Sequence, residues 1–150
     1  MTSITETDRR VQIAQDYRKL FAGTLDEEFV NKTAEAIEAA PLAAAAVYPA
    51  NGAIASMIFW LRCRCNIDNG KSFVGDAFGI AVPGGSALFG DVYTDDLNKL
   101  YSATEKFTLI AAIAYTTFIF HDGNGTVLGS FQAGALGTTT GTAYGSGSWS

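Results

Sequence analysis

Apolar residues recur along this chain with two different periods, and the change falls near residue 52. From Asp8 to Phe21 the apolar positions are Val11, Ala14, Tyr17, Leu20 and Phe21, with Ile13 beside them. That is helical spacing, and Gly23 supplies the stop. Thr24 and Glu27 match the capping pattern S/T-x-x-E, which starts a second helix. Its apolar face carries Phe29, Val30, Ala34, Ile37 and Ala40. Pro41 ends this helix or opens a short third turn through the alanines at 43–46. Pro49, Asn51 and Gly52 close the segment as turn residues. The pattern predicts a helical hairpin over residues 1–52.

Beyond Gly52 the period drops to two. Over Ala53 to Ile67, Ala55, Met57, Phe59, Leu61, Cys63 and Cys65 share one face. Ser56, Arg62, Arg64 and Asn66 share the other, with Ile54, Ile58 and Trp60 as its apolar portion. This reads as one long half-buried strand. Asp68-Asn69-Gly70 is a turn. Short strands follow at Ser72 to Val74 and Phe78 to Val82, then a turn at Pro83-Gly84-Gly85 and a strand from Ala87 to Tyr93. Thr94 stands where a helix N-cap belongs, Asp95 and Asp96 follow in the first turn, and Leu97, Leu100 and Tyr101 share one face. This short helix is expected to plug an opening between strands.

Lys106 to Phe120 is long for one strand and is expected to form two, with a bend near Ala111 to Ala114. Asp122-Gly123-Asn124-Gly125 is a hairpin turn, Thr126 to Ala135 its return strand, and Thr140 to Trp149 the last strand. Gly129, Gly134, Gly141, Gly145 and Gly147 recur in these final strands, as the corners of a small barrel require. The expected fold is mainly β: a closed eight-stranded antiparallel barrel over 53–150, preceded by the helical arm. Met57, Phe59, Phe107, Leu109 and Phe131 are the bulky residues expected to fill its interior.

Charge and chemistry narrow the function. The 150 residues carry a net charge of −5, which disfavours nucleic acid as a partner because phosphates demand a basic face. No apolar run approaches the roughly 20 residues of a membrane-crossing helix. The N-terminal MTSITETDRRVQ lacks the apolar core of a signal peptide. From that alone, the expectation is a cytoplasmic chain, or one exported without a cleaved signal. Cys63 and Cys65 lie too close in sequence for good disulfide geometry and read as buried thiols. His121, the single histidine, flanks a turn. Asp122-Gly-Asn124-Gly-Thr126 echoes a calcium loop without its distal Glu. The sequence therefore assembles no catalytic set, no metal site and no cofactor motif.

The apolar stripe of the arm, Val11, Tyr17, Leu20, Phe21 and Phe29, packs on the body of the same chain or forms an interaction face. As such a face it suits a membrane surface, a host protein, or a second copy in a homo-oligomer joined through the N-terminal helices.

Several stretches resemble the virulence-associated protein (Vap) family of actinobacterial pathogens: Lys71-Ser-Phe-Val-Gly-Asp76, Gly84 to Tyr101 with its Val92-Tyr-Thr-Asp-Asp-Leu97, Phe118-Ile-Phe120, Leu128-Gly-Ser-Phe-Gln-Ala-Gly134 and the closing Gly145-Ser-Gly-Ser-Trp149. The resemblance covers residues 53–150. It implies Greek-key connections, a filled barrel without a known active site, and a secreted or surface protein acting on the host compartment that holds the bacterium. The leading functional expectation is a non-catalytic effector or host/membrane interaction protein. The competing one is a small-molecule-binding barrel, or a cofactor-free cyclase or isomerase, with a cavity lined by Phe59, Tyr115 and Phe131.

Overall fold

The structure is a computed structural model that describes residues 6–43, 46–112, 115–137 and 139–150. The chain divides into two compact units, Met1–Ala44 and Ala45–Ser150.

The first unit is a pair of helices, α1 (Glu6–Phe21) and α2 (Glu27–Ala43), packed against each other. Gly23 follows α1 at φ +77°, the left-handed position that closes a helix and suits glycine. Asp26, rather than the Thr24/Glu27 box, accepts from the Phe29 amide at the start of α2 (3.2 Å). Pro41 lies inside α2, and the alanine turn expected beyond it falls partly on residues 44–45, outside the described residues. Arg18 of α1 pairs with Glu38 of α2 at 2.7 Å.

The second unit is a closed antiparallel barrel of eight strands: β1 (Ala46–Ser56), β2 (Trp60–Ile67), β3 (Ser72–Ala81), β4 (Gly84–Thr94), β5 (Lys106–Ala111), β6 (Thr116–His121), β7 (Val127–Gly137) and β8 (Gly141–Trp149), with α3 (Leu97–Ala103) between β4 and β5. Around the barrel the order is β1-β2-β3-β8-β5-β6-β7-β4. Each half thus has the Greek-key order, β4-β1-β2-β3 and β8-β5-β6-β7. Closure leaves no sheet edge open to solvent.

Three differences from the sequence pattern follow. β1 begins at Ala46, so residues 46–52 belong to the barrel: all of them pair with β4, and 50–52 pair with β2 as well. The long strand expected over 53–67 is two strands folded back at Met57-Ile58-Phe59, where the Met57 amide donates to the Trp60 carbonyl (2.8 Å). That turn contains no Gly, Pro or Asn, and an unbroken apolar run gave no reason to stop the strand. Conversely, β3 runs unbroken through the two short strands expected between 72 and 82. The bend expected near Ala111 to Ala114 lies partly outside the described residues.

Because all neighbours are antiparallel, the connections gather at two ends. Among the described residues, one end holds 57–59, 82–83, 112, 115 and 139–140. The other holds 68–71, the α3 connection 95–105 and 122–126. The second end is stoppered. Leu100 of α3 is fully buried in the barrel core, and Leu97 and Tyr101 pack against that core. The Tyr101 ring lies 5.4 Å from that of Trp149, and its hydroxyl accepts from the Lys71 amide (3.2 Å). Asp96 caps α3 by accepting from the Lys99 amide (3.0 Å). Thr94, the expected cap, instead donates its hydroxyl to the Leu128 carbonyl on β7 (2.8 Å).

Candidate interaction surface

The barrel interior is filled by the chain's own side chains. Phe107, Leu109 and Phe131 lie in it with Phe73, Phe118 and Phe120. Phe73 packs edge-on against Phe107 at 5.0 Å and Phe120 at 4.9 Å, and Phe118 against Phe131 at 5.4 Å. Edge-to-face rings at these separations are in favourable contact. Gly75 and Gly147, paired across β3 and β8, make room for them. A Cβ at Gly75 would come within 2.6 Å of the Phe107 ring, and one at Gly147 within 2.5 Å of Phe73. The two glycines and the rings above them are thus fitted to each other.

Met57 and Phe59 are not part of this filling. The alternation of the sequence puts them inside, but the structure places them in the β1–β2 turn, 67% and 66% exposed. The turn reverses the chain, so the parity on which that assignment rested does not carry across it. Phe59, Tyr115 and Phe131 therefore do not line one cavity, as the competing ligand-binding reading required.

The helical stripe is corrected as well. Tyr17 and Phe21 are buried, with rings 4.7 Å apart, so they present no open face. They share an i, i+4 row with Ile13 that Val11 and Leu20 do not join. Val11 and Leu20 are exposed, and Phe29 is half-buried.

The candidate reactive groups are placed as structural elements. Cys63 and Cys65 are buried, reduced and inward-facing. Desolvation, with the Asp76 carboxylate adding to it, pushes the Cys63 thiol up to about 12, and burial raises Cys65 too. Neither is a ready nucleophile at neutral pH. His121 closes β6 and is fully buried. Its Nε2 lies 3.1 Å from the Thr108 hydroxyl and its Nδ1 lies 3.2 Å from the Gly125 carbonyl. The carbonyl can only accept, so Nδ1 carries the proton and donates to it. Burial lowers the His121 pKa to about 4, against smaller raising effects of the Gly125 bond and Asp122 and a further lowering by Lys106. Asp122 caps its own turn by accepting from the Asn124 and Thr126 amides, both at 2.9 Å, so the calcium-like run serves as a hairpin.

What sequence reasoning missed is the concentration of exposed apolar side chains at the end of the barrel opposite α3. Met57, Ile58 and Phe59 fill one turn, and Phe78, Ile80 and Val82 stand exposed on and just after β3. Two backbone bonds tie the groups together. The Gly79 amide donates to the Phe59 carbonyl (3.3 Å) and the Ala81 amide to the Ile58 carbonyl (3.0 Å).

A family model described as Rhodococcus equi virulence-associated protein matches residues 3–150. The chain belongs to the virulence-associated protein family. Among solved structures it is similar to virulence-associated protein VapD of the intracellular pathogen Rhodococcus equi. The two share 34% sequence identity over 70% of this chain and 97% of VapD, with a TM-score of 0.69. It is similar also to VapB of the same organism, at 34% identity over 70% of this chain and 96% of VapB, with a TM-score of 0.66. No curated protein matches. In this Vap-family barrel, then, the interior is packed with its own rings, and the unusual feature is on the outside, at one end.

Proposed function

We propose that this Vap-family member is a non-catalytic effector that works through its outer surface on a host protein or host membrane. The observation that carries the reading is the contrast between a core of interlocking aromatic rings and an end that leaves six large apolar side chains in solvent. A patch of that kind marks an interaction site more often than a neutral stretch of surface. VapD and VapB are virulence-associated proteins of an intracellular pathogen, which supports a role toward the host.

The test is to deliver the purified chain to cultured phagocytes and follow the pH and cargo degradation of the compartment it enters. A change relative to buffer and to heat-unfolded protein is expected. An unaltered compartment would overturn the effector reading. Native mass spectrometry of the same sample is expected to give the mass of the bare chain. A retained small molecule would favour a ligand-binding barrel instead.

A further inference from the structure

The turn at Met57-Ile58-Phe59 has a conformation that folding alone does not explain. The Phe59 amide donates to the Met57 carbonyl (3.0 Å) across Ile58, whose φ is +72°. This is the rare, strained form of the γ-turn. A β-branched residue is a poor occupant of positive φ, where glycine or asparagine would sit at lower cost. Ile58 gains no compensating burial, being 44% exposed. Folding disfavours both its backbone and its side-chain environment, so its use lies in something the folded chain does not itself contain.

The composition of this end says what that is. The described residues of its connections, 57–59, 82–83, 112, 115 and 139–140, include no Asp, Glu, Lys, Arg or His. The inward positions beneath the tip carry neutral hydroxyls, Ser56, Ser86 and Thr116. At the opposite end Asp68, Lys71, Asp95, Asp96, Lys99, Glu105 and Asp122 crowd the connections. The polarity also changes in order along β2. Beyond the apolar turn comes Trp60, half-buried, and then Arg62, whose guanidinium lies 5.7 Å over the Trp60 ring and pairs with Asp76 of β3 at 3.0 Å. Arg62 stands two residues below Trp60, about 7 Å along the strand. A bilayer presents acyl chains, then an interface favoured by tryptophan, then phosphates, within the roughly 5–10 Å depth to which surface-bound proteins sink.

We propose that this end of the barrel docks on a lipid bilayer, with Met57, Ile58 and Phe59 entering the acyl boundary, Trp60 at the headgroup level and the Arg62–Asp76 ion pair among the zwitterionic headgroups. The inference rests on the interaction-protein reading and names its partner and surface. The driving contact is apolar, so binding needs no net positive charge on the protein and no anionic lipid.

The experiment is flotation of the whole chain with vesicles of phosphatidylcholine alone and of phosphatidylcholine with phosphatidylserine, at low and high salt. The wild type is expected to float with both, and high salt is expected not to abolish it. The double variant Met57→Ser, Phe59→Ser is expected to lose roughly tenfold in partitioning per side chain, about a hundredfold in all. Its thermal unfolding should match the wild type, because both side chains are already in water. Phe89→Ser, an exposed phenylalanine midway along β4, is expected to float like the wild type. Flotation by the double variant at wild-type levels would overturn the assignment of the tip. Failure of the wild type to float with either vesicle would overturn lipid docking. If the phagocyte compartment still responds in that case, the effector reading survives with a protein partner. A concentration-dependent dimer that the double variant abolishes would make this end a self-association surface and likewise overturn the proposal.

Discussion

The two ends of the barrel are built to opposite rules. At the α3 end, charged connections face solvent while Leu100, Leu97, Tyr101 and Trp149 close the cylinder beneath them. Every capping group there has a named partner: Asp96 for the Lys99 amide, Thr94 for the Leu128 carbonyl, Asp122 for its own hairpin. At the other end the connections are neutral, a γ-turn is strained, and Met57 and Phe59 stand in water. One end stabilises the fold. The other carries apolar side chains that contribute little to it. A region that forgoes stability without a structural return is where function is expected.

This contrast can be broken at four points. The largest effect is expected from Leu100→Ala, which removes the fully buried side chain of the stopper. It should destabilise the barrel by about 3 kcal/mol in urea unfolding, within the range of buried leucine truncations. A loss below about 1 kcal/mol would show that α3 is an ornament and not a closure.

The next concerns His121. Its folded-state pKa is lowered to about 4, so between that value and the unfolded value near 6.5 the unfolded chain binds the proton more readily. Stability is therefore fully present above pH 6.5 and falls as the pH drops toward 4. The full window amounts to about 3 kcal/mol, an order-of-magnitude figure. Denaturant midpoints measured from pH 7.5 to 4 should show this slope, and His121→Asn should flatten it. An equal slope in the variant would assign the acid sensitivity to carboxylates instead.

At the end opposite α3 the sign reverses. Ile58→Gly should raise stability by about 1 kcal/mol, because positive φ suits glycine and the lost side chain was largely exposed. A destabilisation would mean that Ile58 packs on something the exposure value hides. Smallest of all, Phe59→Ser should leave the unfolding midpoint within about 0.5 kcal/mol of wild type. A larger loss would make the tip part of the folding core and remove the contrast between the ends.

Much of the barrel was legible because its cues are local. The hairpin at Asp122–Gly125 has a turn chemistry that works through its own backbone, and the structure places Asp122 at its centre. The apolar filling was legible in Phe107, Leu109 and Phe131, since a small cylinder must bury whatever large residues alternate inward. The N-cap of α3 was misplaced by two residues. Thr94 is a good cap by type, but β7 lies within reach and its Leu128 carbonyl takes the hydroxyl. The exposed tip was not legible at all. Met57-Ile-Phe59 has the composition of a buried strand, and only the reversal at Ile58 turns it outward.

The sequence by itself determined that the chain would open with a pair of helices, though it drew that arm to residue 52, and that the rest would form about eight strands around a core of rings, because helical and strand periods and turn residues act over a few positions. Tertiary structure decided which apolar residues face out. Facing is set by register around the closed sheet and by one turn without a turn signature, and both depend on strands far apart in the chain.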